Sequence, residues 1–166
     1  MSDIKQTTSG FKPKKSVALS GTTAGNTAVC TVGRTGNDLH YRGYDILDFA
    51  EKAEFEEIAH LIIHGTLPTI SQLKSYKAKL KGMRGLPSVV KTILENIPKS
   101  AHPMDVMRTG CSVMGTYMTE KDNHPEEETR AALDRIMASF GSMLVYWYHF
   151  NHNNKRIETE TDDDSI

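Results

Sequence analysis

The side chains of this sequence with the chemistry to bind or transform a ligand are seven histidines, two cysteines and a cluster of basic residues. His60 and His64 stand at i and i+4, so on a helix they share a face, the spacing by which paired imidazoles can hold a zinc ion. Position 61 is Leu, however, and no glutamate follows the first histidine, so a polar helix edge or an interface accounts for the pair better. His149 and His152, at i and i+3, precede the acidic run Asp162-Asp163-Asp164 and could join it in a mixed nitrogen–oxygen site. Histidines near the end of a helix also sit favourably against its negative dipole end, and an acidic run is most simply a solvated loop. No metal is expected.

Cys111 lies in an apolar stretch with no basic neighbour to stabilise a thiolate, which favours packing over nucleophilic chemistry, and Cys30 is too distant in sequence to form a metal-ligand motif with it. Ser20-Gly21 and Thr23-Ala24-Gly25-Asn26 make a small-residue loop without the spacing of a phosphate-binding loop. Lys77, Lys79, Lys81 and Arg84 gather at one helix end, as a charged solvent face or as contacts to the phosphates or carboxylate of an anionic ligand. Tyr146-Trp147-Tyr148 suits core packing, or else a subunit interface.

These residues need elements to position them, and the hydrophobic periodicity supplies helices. Phe55, Ile58, Ala59 and Ile62 fall at i, i+3, i+4 and i+7, which predicts a helix over 54–64 that buries this stripe and stops at Gly65. Thr69-Ile70-Ser71-Gln72 has capping-box spacing before Leu73, Tyr76 and Leu80, and that helix ends near Gly82 to Gly85. Pro87 opens an amphipathic helix through Val89, Val90, Ile93, Leu94 and Ile97, closed by Pro98. His102-Pro103 starts another, to about Met118, with apolar residues around so much of its circumference that burial on several sides is expected. After the polar break Lys121 to Pro125 comes a long helix to about His152, led by Glu126-Glu127-Glu128 at the positive end of its dipole. Its expected apolar face is Leu133, Ile136, Met137, Phe140, Met143, Leu144, Trp147 and Tyr148. Upstream, Thr27 to Gly33 and Asp38 to Gly43 flank the turn Arg34-Thr35-Gly36-Asn37, a β-hairpin pattern. Residues 1–15 read as a flexible polar tail. The fold class is mainly α, about six helices with a small N-terminal β-hairpin.

With 20 basic and 21 acidic residues the chain has no general attraction for nucleic acid or an anionic membrane, and no stretch is long and apolar enough to span a bilayer. A cytoplasmic protein with reduced cysteines is expected. An apolar fraction of 38% over 166 residues allows one domain with a modest core that depends on further protein to cover it.

Taken as a set, several strings resemble the citrate synthase family. They include Lys14 to Gly21, Ala24 to Ala28, Asn37 to Ile46, His64-Gly65 with Leu67-Pro68, Arg84 to Pro87, His102 to Thr109, Tyr146-Trp147-Tyr148 and Thr159 to Ile166, and the resemblance covers residues 12–166. Arg42-Gly43-Tyr44, Leu67-Pro68 and His102-Pro103-Met104 are shared across the family, and the longer strings resemble its 2-methylcitrate branch. The resemblance implies that residues 16–166 are the N-terminal part of a large, almost all-helical domain, with the small domain and the catalytic segments absent. It implies an acyltransferase of propionate catabolism that works as a homodimer, condenses propionyl-CoA or acetyl-CoA with oxaloacetate, and needs no cofactor, acyl-CoA being a substrate. An aspartate removes the proton next to the thioester, one histidine stabilises the enol and another polarises the ketone. None of the seven histidines here matches those positions, so no catalytic residue is expected in this chain and the chain alone is expected to be inactive. Lys79 is implied as a substrate-binding residue, with Arg84 behind it. Propionyl and acetyl groups differ by one methylene, a discrimination of only about 1–3 kcal/mol, and the pocket that reads it is not expected in this segment. The alternative is a non-catalytic helical interaction or oligomerisation module, whose long helix carrying Phe140, Met143, Leu144 and Trp147 would be interfacial.

Overall fold

A computed structural model describes residues 25–32, 39–118 and 125–166. The expected tail at 1–15, the loop at 20–24, the hairpin turn at 34–37 and the polar break at 121–124 lie outside the described residues.

The described chain runs β1 (Cys30–Val32), β2 (Leu39–Tyr41), β3 (Tyr44–Asp45), α1 (Ile46–Phe49), α2 (Phe55–His64), α3 (Ile70–Lys81), α4 (Ser88–Asn96), α5 (Pro103–Gly115) and α6 (Glu126–Asn153). The expected pairing is present, Cys30 opposite Tyr41 and Val32 opposite Leu39 in antiparallel register. A short third strand adds to it through a two-residue turn at Arg42 and Gly43. Both turn residues have positive φ, 51° and 90°, the geometry that matches the twist of a tight hairpin. The Arg42 guanidinium then reaches the Ile62 carbonyl, Nη2 to O 2.7 Å, and ties the sheet to the end of α2.

Local chemistry sets the helix ends. Gly65 takes φ 90° and its N–H donates to Leu61 O, closing α2 where the sequence predicts. The capping box of α3 forms, with Gln72 N–H donating to Thr69 Oγ1 at 3.3 Å and Thr69 N–H donating to Gln72 Oε1 at 2.8 Å. His102 caps α5, its Nδ1 accepting from Met104 N–H.

The tertiary arrangement is organised by α6, whose 28 residues run past both halves of the molecule. Its first half meets α2 and α3 around Ala59, Tyr76, Leu80 and Ala138. Its second half meets α4 and α5 around Val90, Leu94, Val106, Met114, Met143, Tyr146 and Trp147. Glu95 on α4 accepts from Tyr146 O–H at 2.7 Å and from the Arg156 guanidinium at 2.7 and 2.8 Å; those hydrogen bonds, Arg156 first, hold its carboxyl at a pKa of about 2. Residues 154–166 form no helix; they return across α4, α3 and α2 as an extended strap.

Three helix faces differ from the sequence expectation. On α2 the buried residues are Glu56, Ala59 and Leu61 while Phe55 lies outside, because the strap covers the Glu56 side. On α5 only Val106, Gly110 and Met114 are buried, a single stripe against α6, and Tyr117, in the turn that follows the helix, is exposed. On α6 the buried face is Asp134, Ala138, Ser139, Met143, Tyr146 and Trp147, whereas Leu133, Phe140 and Tyr148 are exposed. The small residues Gly110, Ala138 and Ser139 decide this, since they let neighbouring helices approach closely.

A Cβ built on Gly110 would stand 2.6 Å from Met143 Sδ, while one on Gly115 would meet nothing within 4 Å. Gly110→Val is therefore expected to destabilise the chain by about 1–3 kcal/mol through overpacking. Gly115→Ala is expected to gain roughly 0.5–1 kcal/mol of helix propensity. Urea titration followed by Trp147 fluorescence separates the two, and equal midpoints would overturn the α5–α6 contact.

Candidate functional site

The densest group of chemistry-bearing side chains surrounds Asp134, a carboxylate with 0% exposure on the inner face of α6. It accepts from Tyr76 O–H at 2.7 Å and from Lys79 Nζ at 2.7 Å, both carried by α3 one helical turn apart. His64, the last residue of α2, places Nε2 at 3.2 Å from the same carboxylate. The His60 ring stacks on His64 with centroids 4.7 Å apart, and Tyr76 meets both rings edge-on. His60 turns its own Nδ1 to Thr66 O at 2.7 Å. The two histidines therefore share a face, as their spacing requires, yet point to different partners. Among the described residues no three His, Cys, Asp or Glu side chains are grouped as a metal ion would need.

Burial lowers the His64 pKa and outweighs the raising effect of Asp134, so at neutral pH the ring is the neutral tautomer with Nε2–H turned to the carboxylate. Burial first, then the hydrogen bond to Asp134, pushes the Tyr76 hydroxyl far above its ordinary value, so it donates and does not act as a base. Lys79 is the member that reaches outward. With its side chain 40% exposed, it lines a cleft of about 330 Å³ with His64, Glu127, Arg130 and Ala131. Arg130 is held there by Glu126 at 2.6 Å, so both cations at this cleft already have carboxylate partners. The arrangement can orient an anionic ligand through spare Lys79 N–H groups. It presents no activated nucleophile.

Arg84 is placed elsewhere. It is 5% exposed, donates from Nη1 to Thr161 Oγ1 at 2.8 Å and from Nη2 to Ser165 O, and borders a different cavity. The two expected substrate-binding residues thus belong to separate sites. The rest of the basic cluster braces the chain as well: Lys77 donates to Glu54 at 2.6 Å and Lys81 to Asp162 O at 2.6 Å. The acidic run lies against these α3 lysines, with Asp164 and Lys81 bordering one cleft. Meanwhile His149 sits 3.1 Å from Asn153 Nδ2 and His152 stacks on Tyr148, so the mixed site at His149 and His152 is not assembled. Cys111 is half-buried, and burial raises its thiol pKa, against a nucleophilic role. Asp134 and Tyr76 were not singled out by sequence reasoning; the strip of small residues after Asp134 was the one available sign that this side of α6 packs closely.

Comparison with known proteins shows the family. The family described as citrate synthase, C-terminal domain, matches residues 18–166. The chain belongs to the citrate synthase family. It is 53% identical over all 166 residues to 2-methylcitrate synthase of Shewanella oneidensis, and this covers 42% of that protein. Among solved structures, citrate synthase from Thermotoga maritima superposes with a TM-score of 0.71 at 30% identity, over 86% of this chain and 36% of that one. Citrate synthase from Thermoplasma acidophilum, solved as a ternary complex with carboxymethyl coenzyme A and oxaloacetate, shares the fold with a TM-score of 0.76 at 21% identity, over 90% of this chain and 40% of that one. The chain thus spans about two fifths of the length of these citrate synthase relatives.

Two outcomes follow from the Asp134 cluster. Asp134→Ala is expected to cost about 3–5 kcal/mol by leaving buried partners uncompensated. Tyr76→Phe is expected to cost roughly 1.5–3 kcal/mol, one charge-assisted hydrogen bond. The double variant should lose less than the sum, because both remove the same contact; strict additivity in urea unfolding would refute the shared network. For His64, a folded pKa below the ordinary 6.5 means the unfolded chain binds the extra proton first. Its contribution is full above pH 6.5 and is lost as pH falls below that. The thermal midpoint should therefore drop on acidification through this range, and His64→Phe should flatten the drop.

Proposed function

We propose that this chain is the N-terminal part of the large domain of a 2-methylcitrate synthase, which in the complete enzyme condenses propionyl-CoA with oxaloacetate. The observation that carries this reading is the 53% identity to a 2-methylcitrate synthase along the full chain, well above the 30% shared with the Thermotoga citrate synthase. Acetyl-CoA is the competing acyl donor. A homodimer in the cytoplasm is part of the proposal. Tyr117, just past the end of α5, and Leu133 and Tyr148 on α6 are exposed and would give such a dimer apolar surface to bury.

In this reading Lys79 contacts an anionic group of a substrate, because its ammonium is the cluster's outward member and keeps N–H donors beyond the one given to Asp134. Asp134 and Tyr76 fix its position. Arg84 serves by holding the 161–165 segment in place. The chemical steps belong to residues outside this chain, so the chain by itself binds and supports and does not turn over.

The alternative, a free-standing interaction module, takes Phe140, Met143, Leu144 and Trp147 on α6 as interfacial; Phe140 is exposed and Leu144 half-buried, but Met143 and Trp147 are not available to a partner. Both are buried within the chain's own core, at 0% and 3% exposure, which favours the synthase reading.

A chimera tests the reading: this chain replaces the aligned segment of the Shewanella synthase, and release of free thiol from propionyl-CoA plus oxaloacetate is followed. Turnover that prefers propionyl-CoA is expected, with no thiol release by the chain alone. Lys79→Met in the chimera should raise KM about tenfold or more, the loss of one charge-assisted contact. A folded chimera without turnover, or robust turnover by the chain alone, would overturn the proposal.

A further inference from the structure

Two donors of the Asp134 cluster compete for one oxygen. Lys79 Nζ stands 2.7 Å and His64 Nε2 3.2 Å from Asp134 Oδ2, while the Tyr76 hydroxyl donates to Oδ1 at 2.7 Å. At neutral pH His64 is uncharged, so the positive charge that compensates Asp134 is the Lys79 ammonium. This leaves the adjoining cleft of about 330 Å³ without uncompensated positive charge. Its two cations, Lys79 and Arg130, are engaged by Asp134 and Glu126, and Glu127 adds another carboxylate to the lining. A small anion entering the cleft in this state meets more negative charge than positive.

One proton changes that balance, and His64 is placed to take it. Its ring lines the cleft with 21% of the side chain exposed, within reach of solvent. As the last residue of α2 it stands at the negative end of a helix dipole, which favours an imidazolium, and Gly65 at φ 90° fixes the backbone behind it. Facing it are His60, stacked at 4.7 Å on the same helix, Tyr76 and Lys79 from α3, and Asp134 from α6, with Glu127 and Arg130 lining the cleft beside it. His60 does not line the cleft and turns its Nδ1 to Thr66 O. A protonated His64 compensates Asp134 by itself. The Lys79 ammonium is then surplus, and with its side chain 40% exposed it is the member that can turn outward to water or a ligand. The proton enters at His64 and the available charge emerges at Lys79.

We infer that the cleft lined by His64, Lys79 and Arg130 is a proton-coupled anion site, which takes up a small dianion, a dicarboxylate or a phosphate group, together with one proton. His64 is a positioning residue that acts through Asp134 on Lys79. The inference rests on the reading of Lys79 as an anion contact and adds the condition under which that contact is made. The coupling is reciprocal: acid tightens the anion, and the anion raises the pH at which His64 titrates.

Sulfate is the probe, because it stays a dianion between about pH 5.5 and 7.5, where histidines titrate. The ring C–H resonances of the seven histidines of the full chain are followed through that range by NMR, with sulfate or with chloride at equal ionic strength. Saturating sulfate is expected to raise the His64 midpoint by about one unit, and its affinity to tighten about tenfold between the ends of the range. His64→Gln keeps a donor for Asp134 but gains no proton, and should bind sulfate weakly at every pH. Lys79→Met should leave His64 titrating yet remove its response to sulfate, a readout that a merely structural lysine would not move. Urea midpoints check that the variants fold, and His64→Asn serves where His64→Gln does not. Sulfate binding that ignores pH, a His64 midpoint indifferent to sulfate, or a pH dependence that follows His60→Gln instead of His64→Gln overturns the inference. Oxaloacetate and coenzyme A are then compared: a His64 response to the first assigns the dianion to a dicarboxylate, and to the second to phosphate. If sulfate binds with its proton and neither of these does, the coupled site stands and the substrate reading of Lys79 fails. If either binds through Lys79 equally at both ends of the range, that reading stands and the coupling fails.

Discussion

A carboxylate with no access to water is the constraint around which this fold is arranged. Asp134 would carry a large desolvation cost alone, and it is tolerated because α2 and α3 each deliver donors to it, the His64 ring from one and Tyr76 and Lys79 from the other. Three helices are thereby fixed in register as well as in distance. Apolar contact between Ala59, Leu80 and Ala138 brings the same helices together, but it would accept small slides that the hydrogen bonds do not.

The basic residues at the end of α3 act in the same manner at lower cost. Lys77, Lys79, Lys81 and Arg84 each engage a different part of the chain, so this short segment is tied to the start of α2, to α6 and to the returning strap. Three of the four pairs are partly exposed and individually weak; the two that reach the strap, from Lys81 and Arg84, guide residues 154–166, which have no helix or sheet of their own. The strap in turn builds one wall of the cavity that Arg84 borders. Lys79 and Arg84 thus sit at the junctions of the bracing, where a small displacement would be transmitted to α6 and to the strap.

Much of the fold is legible in the residues. The α2 stop at Gly65, the α3 capping box, the His102 cap and the hairpin pairing depend on neighbours within a few positions, and they occur where the local chemistry puts them. The site is much less legible. Asp134 meets partners 55, 58 and 70 positions away, and a single aspartate amid an apolar helix reads as a solvent-facing residue until those partners are known. The His60–His64 pair was visible as a shared face, but its two destinations, a loop carbonyl and a buried carboxylate, were not.

What the sequence determined by itself is therefore the kind and order of elements, their ends, and the family strings from Asn37 to Ile46 and His102 to Thr109. What only the tertiary structure decided is which side of each helix turns inward. On α6, Leu133, Phe140 and Tyr148 have the periodicity of a core face and stay exposed, while Asp134, Ala138 and Ser139 go inside. Periodicity reports which residues share a face. Burial depends on which faces can approach closely, and that is set by small residues and paired charges contributed from distant parts of the chain.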